Sequence, residues 1–275
     1  MQTQQWQCRW APSIGALAGT AEKTWGTVPY TDDTQPCVFF GLYGLPDFYA
    51  LWRHKGRRAI LWAGTDITHF LQGYWLDDKG EIKLDPAGLA KWIDKNCENY
   101  VENKVEAAAL WSMGIESTVV PSFLGDIDDY NIEFKPTDKV RVYASVSGDN
   151  FEQYGWDRID DLADKHKDIE FHLYGSDNWT SEKANVIVHG RVPAEQMNAE
   201  IKTMNGGLRL TQFDGFSEIL AKSVLWGQWP VSPYIEYPNI LRNLFELWGK
   251  KEPNFAGRDY YREHCNQYPW NSNVI

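Results

Sequence analysis

The second half of the chain alternates short runs typical of β-strands with longer runs of helical periodicity, and this alternation constrains the fold most strongly. Strands are predicted where β-branched and aromatic residues cluster, at 140–146, 168–175, 185–190, 208–211 and 229–234. Helices are predicted between and after them, at 154–166, 192–204, 216–227 and 241–251. Strands that alternate with helices favour a parallel sheet with helices on both faces.

The first half repeats the pattern less regularly. Strands are predicted at 37–44, 57–64 and 115–123, the stretch 89–114 reads as mostly helical with two helices, and residues 1–36 give little signal. The polar, proline-containing segment 125–139 is the predicted linker. We therefore predict an α/β protein with one sheet domain at 1–124 and a second at 125–251. The aromatic-rich segment 252–275 is predicted to pack back on the first domain.

Composition narrows the class of protein. The chain has 275 residues, 43% of them hydrophobic, which is a globular composition, and a formal net charge of −11, which disfavours a general nucleic-acid binder. Its four cysteines are far apart, without a C-x-x-C pair, which predicts reduced thiols in a cytoplasmic protein. We expect neither a secretory signal nor a transmembrane helix, and no oligomeric state is predicted.

The stretch TQFDGFSEILAKS (211–223) lies where a predicted strand meets a predicted helix. Ligands of parallel α/β sheets bind beyond the carboxyl ends of the strands, near helix N-termini. The Asp214 carboxylate is therefore expected to face a ligand cleft. Gly215 allows a close approach of the backbone, and a helix that begins near Phe216 would direct N–H groups at an anion.

Four stretches together resemble the GT-B glycosyltransferases, and specifically the retaining nucleotide-sugar enzymes called glycosyl transferases group 1, in a compact form such as phages carry. They are GTDI (64–67), 99–121 with its Met-Gly-Ile turn, NVIVHGRVPAEQM (185–197) and 208–233. The similarity covers roughly 37–250. It implies two Rossmann-like domains that face a cleft, and transfer of a sugar from a nucleotide sugar, a UDP-sugar first, without a further cofactor.

The resemblance assigns the catalytic residues Asp214 and Asp66. In the family, the first carboxylate of the Gly-Phe loop faces the transferred sugar and a second, eight positions later, holds the ribose; here Lys222 takes the second position. Lys222 either contacts a diphosphate oxygen or pairs with Glu218 on the same helix face. Asp214 and Asp66 each have a helix N-cap as the alternative role. Asp66 is otherwise predicted to act as a base for the acceptor or to position it.

Two sets of binding residues follow from the same resemblance. The predicted donor-binding residues are Gly215, Phe216, Ser217, Arg209, Lys222, Arg191, Gly190 and Tyr154. The predicted acceptor-side residues are Gly41, Gly44, His69, Arg53, Lys55 and Arg57. Structural roles stay open for several of them: a salt-bridged strand residue for Arg209, a solvated loop residue for Arg191, a tight turn for Gly41 and Gly44, and a structural imidazole for His69.

No metal site is predicted. Arginine and lysine side chains, with helix N-termini, can stabilise a leaving diphosphate by themselves. The one D-x-D pair, Asp126 and Asp128, lies in the predicted linker rather than after a strand, and we interpret it as a solvated acidic segment.

The basic stretch WRHKGRR (52–58) supports two interpretations. Cations at a helix C-terminus complement the helix dipole. Alternatively they bind an anionic acceptor, and the compact chain then fits a transferase that modifies hydroxymethyl-pyrimidine bases in phage DNA. A third hypothesis is a non-catalytic nucleotide-sugar or glycan-binding protein, which the lysine at position 222 keeps open. Otherwise the acceptor is a glycan or a small molecule.

Overall fold

Two parallel sheets carry the fold, one in each of two units, so the predicted α/β class is confirmed. The structure, a computed structural model, describes residues 5–73, 84–211, 214–235 and 237–272. Unit 1 comprises Met1–Asp126, Phe213–Phe216 and His264–Ile275, and unit 2 comprises Ile127–Gln212 and Ser217–Glu263.

Unit 1 is built on a six-stranded sheet in the order β2-β1-β3-β4-β5-β6, with every pair parallel. Its strands are β1 Gln7–Trp10, β2 Val28–Pro29, β3 Cys37–Phe40, β4 Arg58–Leu61, β5 Glu98–Val101 and β6 Thr118–Val119. Its helices are α1 Ala18–Trp25, α2 Leu45–Arg53, α3 Thr65–Gln72, α4 Pro86–Asn96 and α5 Lys104–Ser112, with a 3₁₀ helix at Pro12–Leu17.

The two central strands of unit 1 are buried on both faces, which is why their sequences are continuous apolar runs. Side chains alternate along each strand, so Phe39 and Ile60 join one hydrophobic cluster while Val38 and Leu61 join the other. Helices cover both faces of the sheet. Because β3, β4 and β5 are parallel, the loops that follow them lie at the same edge of the sheet.

Of the predicted C-terminal segment 252–275, only the part from His264 onward belongs to unit 1, whereas the residues up to Glu263 belong to unit 2. The Trp270 ring lies 4.9 Å from the Tyr100 ring and 4.4 Å from the Tyr268 ring, between centroids, and it also contacts Trp6 and Trp25 at 6.1 Å each. Offset and edge-to-face aromatic pairs of this kind add stabilisation beyond the apolar area they bury. Tyr268 and Trp270 are therefore part of the core of unit 1.

Unit 2 has a four-stranded parallel sheet in the order β10-β7-β8-β9. The strands are β7 Val140–Ser145, β8 Ile169–Tyr174, β9 Val186–Gly190 and β10 Gly206–Gly207. The helices are α6 Ile159–Lys165, α7 Ala194–Ile201, α8 Glu218–Leu225 and α9 Phe255–His264, with 3₁₀ helices at Ile127–Asp129, Trp156–Arg158 and Leu244–Gly249. Val142 packs toward the α6 side and Tyr143 toward α7 and α8, so helices cover both faces.

Several predicted elements differ from the structure. The stretch 89–114 contains strand β5 between two helices, where only helix was predicted. The predicted strands at 208–211 and 229–234 contain only single bridges from Val231 to Leu208 and Leu241, and the short strand β10 lies just before the first of them. The predicted helix at 241–251 is a 3₁₀ turn, and residues 7–29 hold two strands and a helix that gave no clear signal.

No helix among the described residues has both the length and the apolar character needed to cross a membrane.

Replacing Trp270 by Ala should destabilise unit 1 strongly, because the side chain is 1% exposed and its removal leaves a cavity among four aromatic rings. The expected loss is about 3–5 kcal/mol of unfolding free energy, measured by denaturant titration. Trp111→Ala is the matched control, since that tryptophan is 65% exposed and its loss should cost little. Equal effects of both substitutions would contradict the account.

Candidate functional site

The carboxyl edge of the unit 1 sheet brings together the loops after β3, β4 and β5. Gly41 follows β3 with φ 80°, and Gly64 follows β4 with φ 88°. Both lie in the left-handed region, which glycine adopts without steric cost. The chain therefore turns sharply at this edge, and the residues that follow β5, Glu102 and Asn103, come next to it.

The segment Asp214–Phe216 also belongs to unit 1, and two side chains after β5 hold it by its backbone. The Phe216 N–H donates to Glu102 Oε2 at 2.7 Å. The Asn103 amide donates to the Asp214 carbonyl at 2.7 Å and to the Gly215 carbonyl at 3.4 Å. Ser122 donates to the other Glu102 oxygen. The position of Asp214 thus depends on Glu102 and Asn103.

Two glycines make this close approach possible. A Cβ on Gly64 would lie 2.9 Å from the Gly215 nitrogen and 3.2 Å from Glu106 Oε1. A Cβ on Gly215 would overlap the Glu102 carboxyl group. The backbone of the segment therefore packs directly against the backbone after β4, with no room for a side chain between them.

Three carboxyl groups, those of Glu102, Glu106 and Asp66, are buried at this edge, and burial raises the pKa of each. Burial raises the pKa of Glu102 to about 7, and the neighbouring Asp214 and Asp66 carboxylates add to the rise. Burial, and then the charge of Glu102, raise the pKa of Glu106 well above its usual value. Glu106 Oε2 accepts the Glu102 N–H at 2.8 Å, whereas Oε1 is buried without a hydrogen-bond partner. These groups carry less negative charge at neutral pH than their number suggests.

Asp66 is fully buried in the first turn of α3, and its carboxylate accepts three backbone N–H groups. These come from Leu42 at 2.9 Å, Ala63 at 3.0 Å and Ile67 at 2.9 Å. Burial raises its pKa to about 6, against the opposing effect of these bonds. The N-cap alternative is wrong, because Gly64 is the cap residue. Asp66 joins the loops after β3 and β4.

The structure corrects two expectations about the segment after β10. Asp214 is not the N-cap of α8; the cap residue is Ser217, whose side chain makes no capping bond, and the helix begins at Glu218. The Phe216 N–H, predicted to face a phosphate, donates to Glu102 instead. Two residues of the predicted junction, Gln212 and Phe213, lie outside the described residues.

The predicted acceptor-side residues fall at two edges of the unit 1 sheet. Gly41 and the α2 cap Gly44 lie at the carboxyl edge, and the exposed His69 lies on α3, where its ring packs edge-on against Tyr43 at 5.6 Å. Arg53 ends α2, and Lys55 and Arg57 lie between α2 and β4, so these three residues are at the amino edge of the sheet.

Two of the four Lys and Arg side chains of the basic stretch pair with acids. Lys55 forms an ion pair with Asp33 at 2.9 Å, and Arg57 forms one with Glu98 at 2.5 Å. Arg53 lies in the last turn of α2, as the helix C-terminus interpretation predicts.

In unit 2, the carboxyl edge gathers four of the predicted donor-binding residues. Arg209 lies just beyond β10, is 9% exposed, and places its guanidinium 4.4 Å from the centre of the Tyr154 ring. Gly190 ends β9 with φ 70°, which lets the Arg191 N–H donate to Asp177 at 2.9 Å. Arg191 also donates to the Gly175 carbonyl at 3.3 Å. The loops after β8, β9 and β10 thus present two arginines at one edge.

Lys222 is paired within unit 2. Its ammonium lies 2.7 Å from Glu218 on the same helix and 3.1 Å from the Asn198 side-chain oxygen on α7. The alternative of an i,i+4 pair is therefore confirmed.

Sequence reasoning missed several polar residues of these two edges. They are Glu102, Asn103, Glu106, Asp149, Arg158 and Ser176. One signal was present: Asn103 followed three residues later by Glu106 is typical of a helix start, and Asn103 does cap α5. Among the described residues, no group of three His, Cys, Asp or Glu side chains is arranged to hold a metal ion.

Comparison with known proteins places the fold. No protein-family model matches the sequence, and no curated protein matches it significantly. Solved glycosyltransferase structures match it. Sucrose-phosphate synthase of Thermosynechococcus elongatus aligns over 92% of this chain and 73% of its own, at 11% identity and TM-score 0.57. HepE of Anabaena, solved with UDP-glucose, aligns over 92% and 78%, at 11% identity and TM-score 0.53.

The lipopolysaccharide outer core galactosyltransferase WaaB aligns over 94% of this chain and 88% of its own, at 14% identity and TM-score 0.51. The chain spans about half of TarM from S. aureus, 52% of that chain, at 12% identity and TM-score 0.50. These likenesses show that the chain has the GT-B fold.

Gly215→Ala should destabilise unit 1, because the added methyl group must displace the Glu102 carboxyl or the segment itself. The expected loss is about 1–3 kcal/mol, measured by denaturant titration. Gly19→Ala is the matched control: it lies in α1 with no atom within 4 Å of an added Cβ, so its stability should stay the same or rise slightly. A Gly215→Ala protein as stable as the Gly19→Ala protein would contradict the packing.

Glu106→Gln should change how stability depends on pH. A raised pKa means that the folded state keeps a proton on the carboxyl group above about pH 4.5, where the unfolded state has released it. The free energy of unfolding therefore falls as pH rises, and for Glu102 this fall continues up to about pH 7. Glutamine removes this loss at position 106. The difference in melting temperature between the variant and the wild type should therefore be more positive by several degrees at pH 8 than at pH 5. A difference that is constant with pH would show that Glu106 is ionised throughout.

Proposed function

We propose that the chain is a glycosyltransferase that moves a sugar from a nucleotide-sugar donor, a UDP-sugar first, to an acceptor hydroxyl. The observation that carries the proposal is the segment Asp214–Phe216, fixed by Glu102 and Asn103 at the carboxyl edge of a parallel sheet. Ligands of such sheets bind beyond this edge. The solved proteins of the same fold that hold UDP or UDP-glucose support the choice of donor.

In this proposal, Asp214 acts on the sugar. Its side chain is half-buried, while its own carbonyl is bound by Asn103, so the backbone is fixed and the carboxylate lies at the sheet edge. A carboxylate there accepts hydrogen bonds from sugar hydroxyls and supports the positive charge that develops on the ring. Placement matters because catalytic groups lose much of their effect when they move by about 1 Å.

The leaving diphosphate is assigned to arginines of unit 2. Arg209 is almost buried and its guanidinium stacks on Tyr154, which limits its freedom. The backbone of Arg191 is held by Asp177, and its side chain donates to the Gly175 carbonyl at 3.3 Å. Fixed cations stabilise growing charge without reorganisation, so we propose transfer without a metal ion. Retention of the anomeric configuration rests on the family resemblance and is read from the product by NMR.

Asp66 is proposed to position the acceptor side rather than to act as its base. Its oxygens accept the N–H groups of Leu42, Ala63 and Ile67, so its carboxylate fixes the loops at that edge. A glycan or a small molecule is the proposed acceptor. The DNA hypothesis depended on the basic stretch, where Lys55 and Arg57 are paired with Asp33 and Glu98.

The test is hydrolysis of a panel of UDP-, GDP-, ADP- and CMP-sugars, with and without chelator. The wild type should cleave one donor slowly, and Asp214→Asn, which keeps the shape but loses the charge, should reduce the rate by about 10²-fold or more. Asp259→Asn is the control, an exposed acid on α9. Equal rates of the Asp214→Asn variant and the wild type would refute the assignment.

Two other results would favour the alternative functions. Donor binding without turnover in the wild type would favour a non-catalytic binding protein. Binding to hydroxymethylated duplex DNA that weakens steeply with salt would favour the DNA-modifying enzyme, because such binding releases counterions.

A further inference from the structure

The buried carboxyl pair of Glu102 and Glu106 is unusual because no Lys, Arg or His among the described residues forms an ion pair with either group. The charged groups that act on the pair most strongly are themselves acidic, namely Asp66 and Asp214. The other titratable groups that face it are the phenols of Tyr43 and Tyr268. Burying uncompensated carboxyl groups is costly, so a fold retains them only where something else depends on them.

What depends on Glu102 is the segment that carries Asp214. Its Oε2 accepts the Phe216 N–H at 2.7 Å, and its Oε1 accepts the Ser122 hydroxyl. The next residue, Asn103, binds the Asp214 carbonyl, so two consecutive side chains hold both sides of Gly215. A carboxyl group thus occupies the position beside the Phe216 N–H where the sequence predicted an anion.

We propose that Glu102 is a positioning residue for the transfer reaction: it holds the Asp214–Phe216 segment through the Phe216 N–H, and its protonated form keeps Asp214 in place. This inference rests on the proposed function. When Glu102 loses its proton, a second negative charge stands beside Asp214 in a buried site. Release of the segment hydrates the Glu102 carboxylate and returns its pKa toward 4.5, so release becomes more favourable as pH rises from about 4.5 to about 7 and levels off above that.

Three substitutions separate the effect of the segment's position from the effect of the Glu102 charge. Glu102→Ala removes the acceptor and leaves the Phe216 N–H without it. Glu102→Gln keeps an acceptor oxygen for Phe216 and never ionises. Asn103→Asp keeps the α5 cap, because aspartate caps as well as asparagine, but it loses the amide that binds the Asp214 carbonyl.

The experiment measures kcat and KM for the donor found in the hydrolysis panel, between pH 5 and pH 8. Glu102→Ala and Asn103→Asp should lower kcat by roughly 10-fold to 10²-fold with a smaller change in KM, because a displaced Asp214 affects the transition state most. Glu102→Gln should recover most of the loss caused by Ala. The wild-type kcat should decline as pH rises toward about 7 and level off above that, and the Gln variant should lack that decline. Glu116→Gln, an exposed acid before β6, is the control.

Hydrogen–deuterium exchange of the peptide that carries Phe216 tests the contact without turnover. Exchange should be faster in Glu102→Ala than in the wild type, while peptides of β3 and β4 stay protected. If the wild type turns over no donor, the proposed function fails, and exchange alone decides the role of Glu102. Unchanged exchange in Glu102→Ala would overturn the inference. So would a decline of kcat with rising pH in Glu102→Gln equal to that of the wild type, or an unchanged kcat in Asn103→Asp.

Discussion

The hydrogen bond from the Phe216 N–H to the Glu102 carboxyl group is the contact on which the rest of the candidate site depends. It fixes the Asp214–Phe216 segment, which follows β10 in the chain, against residues that follow β5, and the bond is buried. Because the donor is a backbone group, the bond sets the path of the chain. The identity of both glycines follows from it, since Gly64 and Gly215 must leave room for the carboxyl group and for each other.

This contact has an electrostatic consequence. Carboxyl groups that are buried among other carboxyl groups hold their protons at pH values where exposed ones are ionised. Glu102, Glu106 and Asp66 all have raised pKa values for this reason, and Glu106 keeps one oxygen without a hydrogen bond. The arrangement is less stable than an apolar one of the same shape would be. Such local costs are typical of functional sites, where geometry is favoured over stability.

The overall class was readable from the sequence because buried parallel strands are continuous apolar runs. The runs around Phe39, Ile60, Val142 and Phe171 predicted strands that the structure contains. Strand β5 was missed because ENYV carries polar residues between two helices, and only the cap pattern at Asn103 marked its end. Short strands such as β10 give little periodicity to detect.

The site was readable only in part, since the contacts that build it join residues distant in sequence. Asp214 and Gly215 were predicted from their place between a strand and a helix. Glu102 meets Phe216 across 114 positions, and no local pattern announces such a pair. Lys222 shows the converse: its pairing with Glu218 is local, and helical spacing predicted it directly.

The central claim, that this fold binds a nucleotide sugar, is tested most directly by the melting temperature in the presence of nucleotide sugars. A ligand that binds only the native state raises that temperature as its concentration exceeds the dissociation constant. The account predicts a concentration-dependent rise with a UDP-sugar, and a smaller rise when Arg209 is replaced by Ala. No rise with any UDP-, GDP-, ADP- or CMP-sugar at millimolar concentration would contradict it.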